Sequence, residues 1–456
     1  MTPIQSDDTS ALLADACARA TRHLSEVKTR HVFPKDKDIA ALARLREPMP
    51  VHGDDPSRIL ALLDEVGSPA TVAQNAPRYF GFVNGASYPV CVAAQSLAAA
   101  WDQNGALRIM SPAAAAFEDL ALSWLLELFG LPPDCGAALV PGAMSANVTG
   151  LAAARHALLK RAKWDVENDG LFRAPELHVV VGAEAHVSVH KSLALLGLGK
   201  SRVTVVGADA QGRMRADKLP RLDELTIVCL QAGNVNTGTC DPILEICKLA
   251  APAGAWVHID GAFGLWARAE PGHAALVDGM ELADSSATDA HKWLNVPYDC
   301  GIVFVRDVAS LRASMAAPAA YLLSGGEREP MHHSPDSSRR ARGVEVWAAL
   351  RFLGRDGVRD LIRRCCDRAQ EFAAALRSAG FSVLNEVVLN QVLVSFGDPA
   401  ITQEVIQRVQ RDGTCWCGGT VWQGRTAMRI SISSWTTTSE DVDRSVQAII
   451  AAARNV

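Results

Sequence analysis

The stretch WVHIDGA at residues 256–262 contains the pattern that decides the fold. A short run of bulky residues ends in Asp260, and two small residues follow it. β-Branched runs of similar length recur at four other places, namely 178–181, 203–206, 226–230 and 302–305. Runs that are apolar on both faces are typical of strands in a parallel sheet that helices cover. The stretch is therefore predicted to be one strand of such a sheet and the turn that follows it.

Helical patterns lie between these runs, so strands and helices alternate along the middle of the chain. Such alternation predicts an α/β core with a mostly parallel central sheet. Before the core, an alanine-rich helical stretch is expected from 92 to 129, with an interruption near Pro112. After it, a long helix is expected from 344 to 376. A small α+β unit then follows, with a hairpin around Gly418 and a last helix from Ser439.

These patterns predict three regions along the chain. Residues 1–75 form an N-terminal helical arm, residues 76–330 a large α/β domain, and residues 331–456 a small C-terminal α+β domain. The arm carries too little apolar surface to fold alone. We therefore expect it to wrap a second subunit, which predicts a homodimer.

The composition is that of a soluble globular protein with a large core. Of the 456 residues, 49% are apolar and 21% are charged, which excludes disordered, collagen-like and coiled-coil chains. The count of 45 Lys and Arg against 50 Asp and Glu leaves a net charge of −5. Nucleic acid would require a basic face and a membrane surface would require a basic run, so neither partner is expected.

The cysteines indicate a reducing environment. The sequence has neither a secretory signal nor a membrane-spanning run of about 20 apolar residues. Its 11 cysteines are odd in number and scattered, which is typical of free thiols in a cytoplasm. The close pairs Cys365–Cys366 and Cys415–Cys417 lack further ligands at zinc spacing, so no metal site is expected.

Candidate functional residues follow the predicted strands, where ligands bind in open parallel sheets. The turn PGAMS at 141–145 opens a predicted helix, and its small residues would let backbone N–H groups and the helix dipole hold an anion. His186 follows the strand run that starts at residue 178. It could stack on a flat ring or transfer a proton, and its ordinary alternative is a helix-capping role.

Two charged residues complete the set. Asp260 ends a buried strand, where a carboxylate requires a partner. That partner could be a protonated pyridine nitrogen, a helix N-terminus or a structural cation. Lys292, in the segment 284–301, would be a nucleophile towards an aldehyde if it were withdrawn from water, or else a solvated surface lysine. An anion turn, a ring-stacking histidine, an aspartate and a lysine together supply what pyridoxal 5'-phosphate (PLP) requires.

Longer motifs around these residues resemble the group II PLP-dependent decarboxylases, which include aromatic-amino-acid, histidine, tyrosine and glutamate decarboxylases. The matching stretches are AHVSVHKS (185–192), GNVNTGTCDP (233–242), HIDGAFGLWA (258–267) and TDAHKWLNVPYDCG (288–301). The resemblance extends from PRYFGF (77–82) into the C-terminal unit. It implies the aspartate-aminotransferase fold, known as fold type I, and an obligate homodimer with active sites at the interface.

The resemblance also implies a role for each matching residue. Lys292 would form the Schiff base and Asp260 would face the pyridine nitrogen, with His186 and Ala262 on opposite faces of the ring. Further residues would bind the phosphate, namely Ala143, Met144, Asp289 and His291. The loop Phe82, Val83, Asn84 and Gly85 would lie on the substrate side.

Three departures from the family pattern affect these assignments. Met144 stands where members often have Ser or Thr, and Val235 where many have Thr. The expected mobile lid, from 323 to 338, contains no tyrosine, although in well-known members a lid tyrosine protonates the carbanion left after CO2 loss. His332 or His333 could donate that proton near neutral pH, or both could be solvated loop residues.

The leading interpretation is decarboxylation of an L-amino acid to an amine and CO2. An aromatic or apolar substrate is mildly favoured, because the loop at Phe82 and Val83 is apolar. Arg78 could instead bind a substrate carboxylate or form a structural ion pair. The alternatives are aldehyde-forming decarboxylation–deamination and a C–C lyase or aldolase reaction. A non-catalytic PLP-binding protein is disfavoured, because it would not need the lysine, aspartate and histidine together.

Overall fold

The computed structural model describes residues 6–316 and 327–456, with side chains from residue 9 onward. Helices α1 to α7 are Ser6–Glu26, Asp36–Ala41, Pro56–Leu62, Ser68–Ala70, Pro89–Trp101, Pro112–Phe129 and Ala143–Arg161. Helices α8 to α14 are Val166–Asp169, Val187–Leu195, Ile243–Ala250, Val308–Met315, Gly343–Ser378, Pro399–Asp412 and Ser439–Arg454. Strands β1 to β11 are Gly136–Val140, His178–Gly182, Thr204–Val206, Thr226–Gln231, Trp256–Asp260, Ser285–Asp289, Gly301–Val305, Ser382–Val383, Gln391–Ser395, Gly418–Trp422 and Arg425–Ser431.

A seven-stranded sheet forms the centre of the large α/β part, in the order β1-β7-β6-β5-β4-β2-β3. Strand β7 runs antiparallel to both of its neighbours, and the remaining pairs are parallel. The five predicted strand runs are all strands of this sheet, and the predicted α/β class is confirmed. Because β4, β5 and β6 are parallel neighbours, their carboxyl ends meet at one edge of the sheet.

The apolar pattern did not reveal β1, and it gave only a weak signal for β6. Strand β6 reads SSATD, and its polar side chains are buried on both faces of the strand. They are tolerated because they are hydrogen-bonded: the Ser285 hydroxyl accepts from the Trp256 indole, and the Thr288 hydroxyl donates to the Ala262 carbonyl. Buried polar strands of this kind do not show an apolar run in the sequence.

The predicted long helices are present with shifted ends. The stretch from 92 to 129 is two helices, α5 and α6, and Pro112 occupies the first turn of α6. The long helix from 344 to 376 is α12, which is interrupted at Gly354, where φ is 59°. The hairpin turn lies after Trp422 rather than at Gly418, which instead begins β10.

A four-stranded antiparallel sheet, β10-β11-β9-β8, forms the C-terminal part together with the last helices. Strand β11 enters this sheet between β9 and β10, and its Arg429 lines the same cavity as the ends of the central strands. Division of the chain at residues 75 and 330 remains a prediction. None of the helices in the described ranges combines the length and hydropathy of a membrane-spanning segment.

Close packing between β7 and the start of α7 provides a test of this fold. A Cβ atom at Gly301 would lie 2.3 Å from the carbonyl carbon of Gly142. Because the neighbour is backbone, Gly301→Ala is expected to lower the free energy of unfolding by about 1–3 kcal/mol. Urea denaturation measures the change. Gly207→Ala is the control, since no atom lies within 4 Å of the added carbon; equal stability of the two variants would contradict the packing.

Candidate active site

The ends of the central strands, the loop at residue 82 and strand β11 enclose a cavity of about 290 Å³. Its lining combines apolar, aromatic and charged side chains, namely Phe82, Val83, His186, Gln231, Gly233, Val235, Asp260, Ala262, Phe263, Lys292 and Arg429. Lys292, Asp260, His186 and Ala262 are thus brought together, as the sequence predicted. A larger cavity, of about 720 Å³, lies elsewhere and contains none of these four residues.

Asp260 is only 4% exposed at the end of β5. Its Oδ2 atom accepts from the Asn147 amide at 3.0 Å and from the Ser188 hydroxyl at 3.1 Å. Its Oδ1 atom accepts only from the Ala262 backbone N–H, at 3.3 Å. Within residues 6–316 and 327–456, no lysine or arginine forms an ion pair with it. A buried carboxylate with spare acceptor capacity beside a cavity fits the protonated ring nitrogen of PLP.

Lys292 lies three residues after the end of β6, in a buried loop. Its Nζ atom is 3.0 Å from Asp289 Oδ2. The loop also contacts the backbone at Gly85, where a Cβ atom would lie 1.8 Å from the Lys292 carbonyl oxygen. Only glycine permits that approach. Asn295 fixes the same contact, because its Oδ1 atom accepts from the Ala86 N–H at 2.9 Å.

The N-terminus of α7 is already occupied by a carboxylate. The Ala143 N–H donates to Asp289 Oδ1 at 2.5 Å. His291 lies next to this contact, with its Nε2 atom 3.7 Å from Asp289 Oδ1, and burial lowers its pKa. Asp289 and His291 therefore lie beside the turn at 141–145, as the resemblance implied, whereas phosphate binding there stays a prediction, and a phosphate would share the turn with an anionic side chain. Met144 is not part of the cavity lining; its carbonyl accepts from Ser192.

His186 has the capping role that was its ordinary alternative, and its contact with a ring stays a prediction. It caps α9, since its Nδ1 atom accepts from the Ser188 N–H at 3.2 Å, and it also lines the cavity. Burial lowers the pKa of His186, which favours a neutral ring that can lie against a flat cofactor. The Ser188 hydroxyl lies between His186 Nδ1, at 2.8 Å, and Asp260 Oδ2. Ala262, predicted to face the opposite side of the ring, also lines the cavity.

Only part of the loop from 82 to 85 faces the cavity. Phe82 and Val83 line it, and both have left-handed backbones, with φ of 54° and 61°. Such angles are strained for residues other than glycine, so the surrounding contacts must hold them. Phe82 stacks on Trp416, with 5.4 Å between ring centroids. Asn84 instead accepts a hydrogen bond from the Tyr298 hydroxyl at 2.8 Å.

The predicted lid differs from expectation. Residues 323–326 lie outside the described residues, but His332 and His333 are buried, and Met331 packs with Ala106 and Leu107. Neither histidine lines the Lys292 cavity of its own chain, so their role as proton donors stays a prediction. His333 lines the larger cavity instead, and burial lowers its pKa to about 4, which leaves it neutral at neutral pH.

The sequence analysis missed several site residues, among them Arg429 and Asn147. Arg429 lines the cavity from β11, and its guanidinium has one hydrogen bond, 3.4 Å to the Val235 carbonyl, and no ion pair among the described residues. Burial lowers the pKa of Arg429. Asn147 lies one helical turn after Ala143, and that spacing could have indicated it. Arg78 is a structural residue, since it pairs with Asp441 at 2.8 Å.

Comparison with known proteins agrees with this geometry. The family model described as pyridoxal-dependent decarboxylase conserved domain matches residues 41–397. The L-2,4-diaminobutyrate decarboxylase of Rhizobium meliloti (strain 1021) is 30% identical, over 90% of this chain and 84% of that protein. Tryptophan decarboxylase 1 of Oryza sativa subsp. japonica and 4-hydroxyphenylacetaldehyde synthase of Rhodiola rosea are each 26% identical, over 95% and 93% of this chain and 91% and 90% of those proteins.

Solved structures share the fold over the entire chain. The Oryza sativa TDC structure with PLP and tryptamine superposes with a TM-score of 0.90 at 23% identity, covering 100% of this chain and 99% of that one. The Rhodiola rosea 4-hydroxyphenylacetaldehyde synthase structure gives 0.87 at 22% identity, with 100% of both chains covered. Because the family match covers most of the sequence, this chain belongs to the pyridoxal-dependent decarboxylase family and is a PLP-dependent amino-acid carboxy-lyase of fold type I.

Proposed function

We propose that the chain converts an L-amino acid with an aromatic or apolar side chain into the amine and CO2. The observation that carries this proposal is the shared cavity of Lys292 and Asp260, whose walls include Phe82, Val83 and Phe263. Apolar walls favour substrates that bury an apolar side chain. Two relatives bear the names tryptophan decarboxylase 1 and aromatic-L-amino-acid decarboxylase, which agrees with this substrate class.

The proposed roles follow from position. Lys292 would hold PLP covalently, Asp260 would keep the proton on its ring nitrogen, and His186 and Ala262 would contact its faces. PLP supplies an electron sink for the electron pair that CO2 loss leaves behind. The Ala143 N–H and His291 would bind the phosphate, and the Asp289 carboxylate would have to release the Ala143 N–H that it occupies. Lys292 would leave Asp289 at the same time.

Arg429 is proposed to bind the substrate carboxylate. It is a half-buried cation beside Lys292, without an ion pair among the described residues, and a guanidinium matches a carboxylate in bidentate geometry. A carboxylate there would replace the weak contact with the Val235 carbonyl. The substrate would then be oriented by its charge at one end and by the Phe82 side of the cavity at the other.

A homodimer is proposed as the active unit. Large apolar side chains remain exposed around the cavity entrance and on α5 and the segment after it: Phe82, Leu97, Trp101, Ile109 and Met110. Exposed large apolar side chains of this kind are typical of an interface. His332 would then act on the partner's cavity. Its Nδ1 atom is buried and has no hydrogen-bond partner in the described part of the chain.

A cytoplasmic location is proposed from the thiols. All 11 cysteines are free, and most of them are buried. Burial raises the pKa of several of these thiols, including Cys229 and Cys240 to about 12, which keeps them protonated and unreactive. A chain with this many unpaired cysteines suits a reducing compartment.

The proposal is tested by supplying each proteinogenic amino acid with PLP and measuring CO2, amine and aldehyde together. We expect CO2 and amine in equal amounts from an aromatic or apolar amino acid. Lys292→Ala should lose both the turnover and the visible absorption of the bound cofactor. Aldehyde as the main product would replace the amine proposal with the aldehyde-forming one, and cleavage without CO2 release would point to a C–C lyase.

The role of Arg429 is tested by substitution. Arg429→Met should raise KM by about tenfold or more with a smaller effect on kcat, because it removes a charge-assisted contact with the bound substrate. The KM of Arg429→Lys should lie between those of wild type and Arg429→Met, since lysine keeps the charge but lacks the bidentate geometry. The exposed Arg425 of the same strand is the control. An Arg429→Met enzyme with unchanged KM would exclude this residue as the carboxylate receptor.

Mixed dimers test whether His332 and His333 act across the interface. One subunit carries Lys292→Ala, and the other carries His332→Phe with His333→Phe. Each variant alone should form little amine. Equal mixing should restore about one quarter of wild-type amine formation, because half of the dimers would be mixed and each would have one intact site. No recovery in dimers shown to be mixed would exclude action of these histidines across the interface.

A further inference from the structure

Behind Asp260, four buried polar side chains form a single hydrogen-bonded row. The Asn147 amide contacts Asp260 Oδ2 at 3.0 Å, and its Oδ1 atom lies 2.9 Å from His258 Nε2. His258 Nδ1 lies 2.8 Å from the Ser285 hydroxyl. The Trp256 indole N–H reaches the same hydroxyl at 2.8 Å. His258 and Asn147 are fully buried, so water does not interrupt the row.

The two ends of the row determine the direction of every hydrogen bond. A carboxylate only accepts, so Asn147 must donate its N–H to Asp260 and turn its carbonyl towards His258. His258 must then carry its proton on Nε2 and leave Nδ1 as an acceptor. The Ser285 hydroxyl therefore donates to Nδ1, and its oxygen accepts from the indole of Trp256, which is only a donor. Every hydrogen bond of the row then has one donor and one acceptor.

The protein makes room for this row at a specific position. A Cβ atom at Gly150 in α7 would lie 2.9 Å from His258 Cε1 and 3.0 Å from Nδ1. A larger residue at 150 would therefore push the imidazole out of line. Burial lowers the pKa of His258 to about 4, so the ring is neutral over the ordinary pH range. A neutral imidazole carries one proton, so one ring nitrogen of His258 donates and the other accepts, and the row has a single direction.

We propose that His258 and Asn147 are positioning residues, which hold Oδ2 of Asp260 in place through a one-directional hydrogen-bond row. Oδ1, which accepts only from the Ala262 N–H among the described residues, then keeps acceptor capacity for the ring nitrogen of PLP. Hydrogen bonds in a row polarise one another, so the whole row supports the negative charge of Asp260. The titratable groups that face Asp260 are His186 on the cavity side, His258 of the same strand behind it, and the Cys229 thiol of the neighbouring strand β4. This inference rests on the proposed role of Asp260.

The tautomer of His258 is the first test, and it requires no turnover. Nitrogen NMR of the selectively labelled apoprotein should show His258 with a proton on Nε2 only, and neutral from about pH 5.5 upward. Asn147→Leu should disturb this signal because it removes the acceptor. A proton on Nδ1, or a charged ring at neutral pH, would overturn the proposed direction of the row.

Paired variants separate positioning from packing. His258→Gln keeps a donor for Asn147, whereas His258→Leu fills similar volume without one. We expect His258→Leu to lower kcat by about tenfold or more with little change in KM, by analogy with other outer-layer partners, and His258→Gln to retain most activity. Thr149→Val is the matched control. Thr149 is buried in the same helix as Asn147, but its hydroxyl donates only to the Ser145 carbonyl.

A spectroscopic readout completes the design. The pH at which the absorption of enzyme-bound PLP changes should shift in His258→Leu and Asn147→Leu. Both variants interrupt the hydrogen-bond row that stabilises the negative charge of Asp260. It should stay unchanged in Thr149→Val. Equal spectra and equal kcat in His258→Leu and wild type would overturn the proposal. The spectra and the NMR signal do not depend on the substrate, so their failure is distinct from a failure of the proposed reaction.

Discussion

Asp260 is a carboxylate that lies almost completely inside the protein, and no described lysine or arginine forms an ion pair with it. Taking such a group out of water costs several kcal/mol unless other groups replace the lost hydration. The fold supplies donors from separate elements: Asn147 from α7, Ser188 from α9 and the Ala262 N–H from the turn after β5. The hydrogen bonds of this one carboxylate therefore depend on how α7, α9 and the turn after β5 are placed around it.

Much of the site could be predicted because its residues follow strands directly. Asp260 ends β5 and His186 follows β2, so strand prediction placed both at one edge of the sheet, whereas Lys292 follows β6, whose apolar signal was weak. Arg429 could not be found in this way. It lies on a strand of a different sheet, and only tertiary packing brings it to the cavity.

His332 and His333 illustrate a second limit. Their type and their place in a Gly- and Ser-rich segment suggested a mobile lid, but composition does not determine which surface a segment packs on. Met331 binds the segment to Ala106 and Leu107, so it is buried on another part of the chain. The prediction of β6 was weak for the opposite reason. This strand is polar in sequence but buried, because neighbouring residues form hydrogen bonds with its hydroxyls.

The contact between Gly85 and the Lys292 carbonyl links two loops that are about 200 residues apart in the sequence. Because the two backbones touch, neither loop can shift without moving the other. Within the loop from 82 to 85, some positions can therefore tolerate substitution and others cannot. Phe82 and Val83 present side chains to the cavity and can change with the molecule that the site accepts, whereas Gly85 is held by the lysine loop. Substrate selectivity can therefore change through Phe82 and Val83 without displacing Lys292.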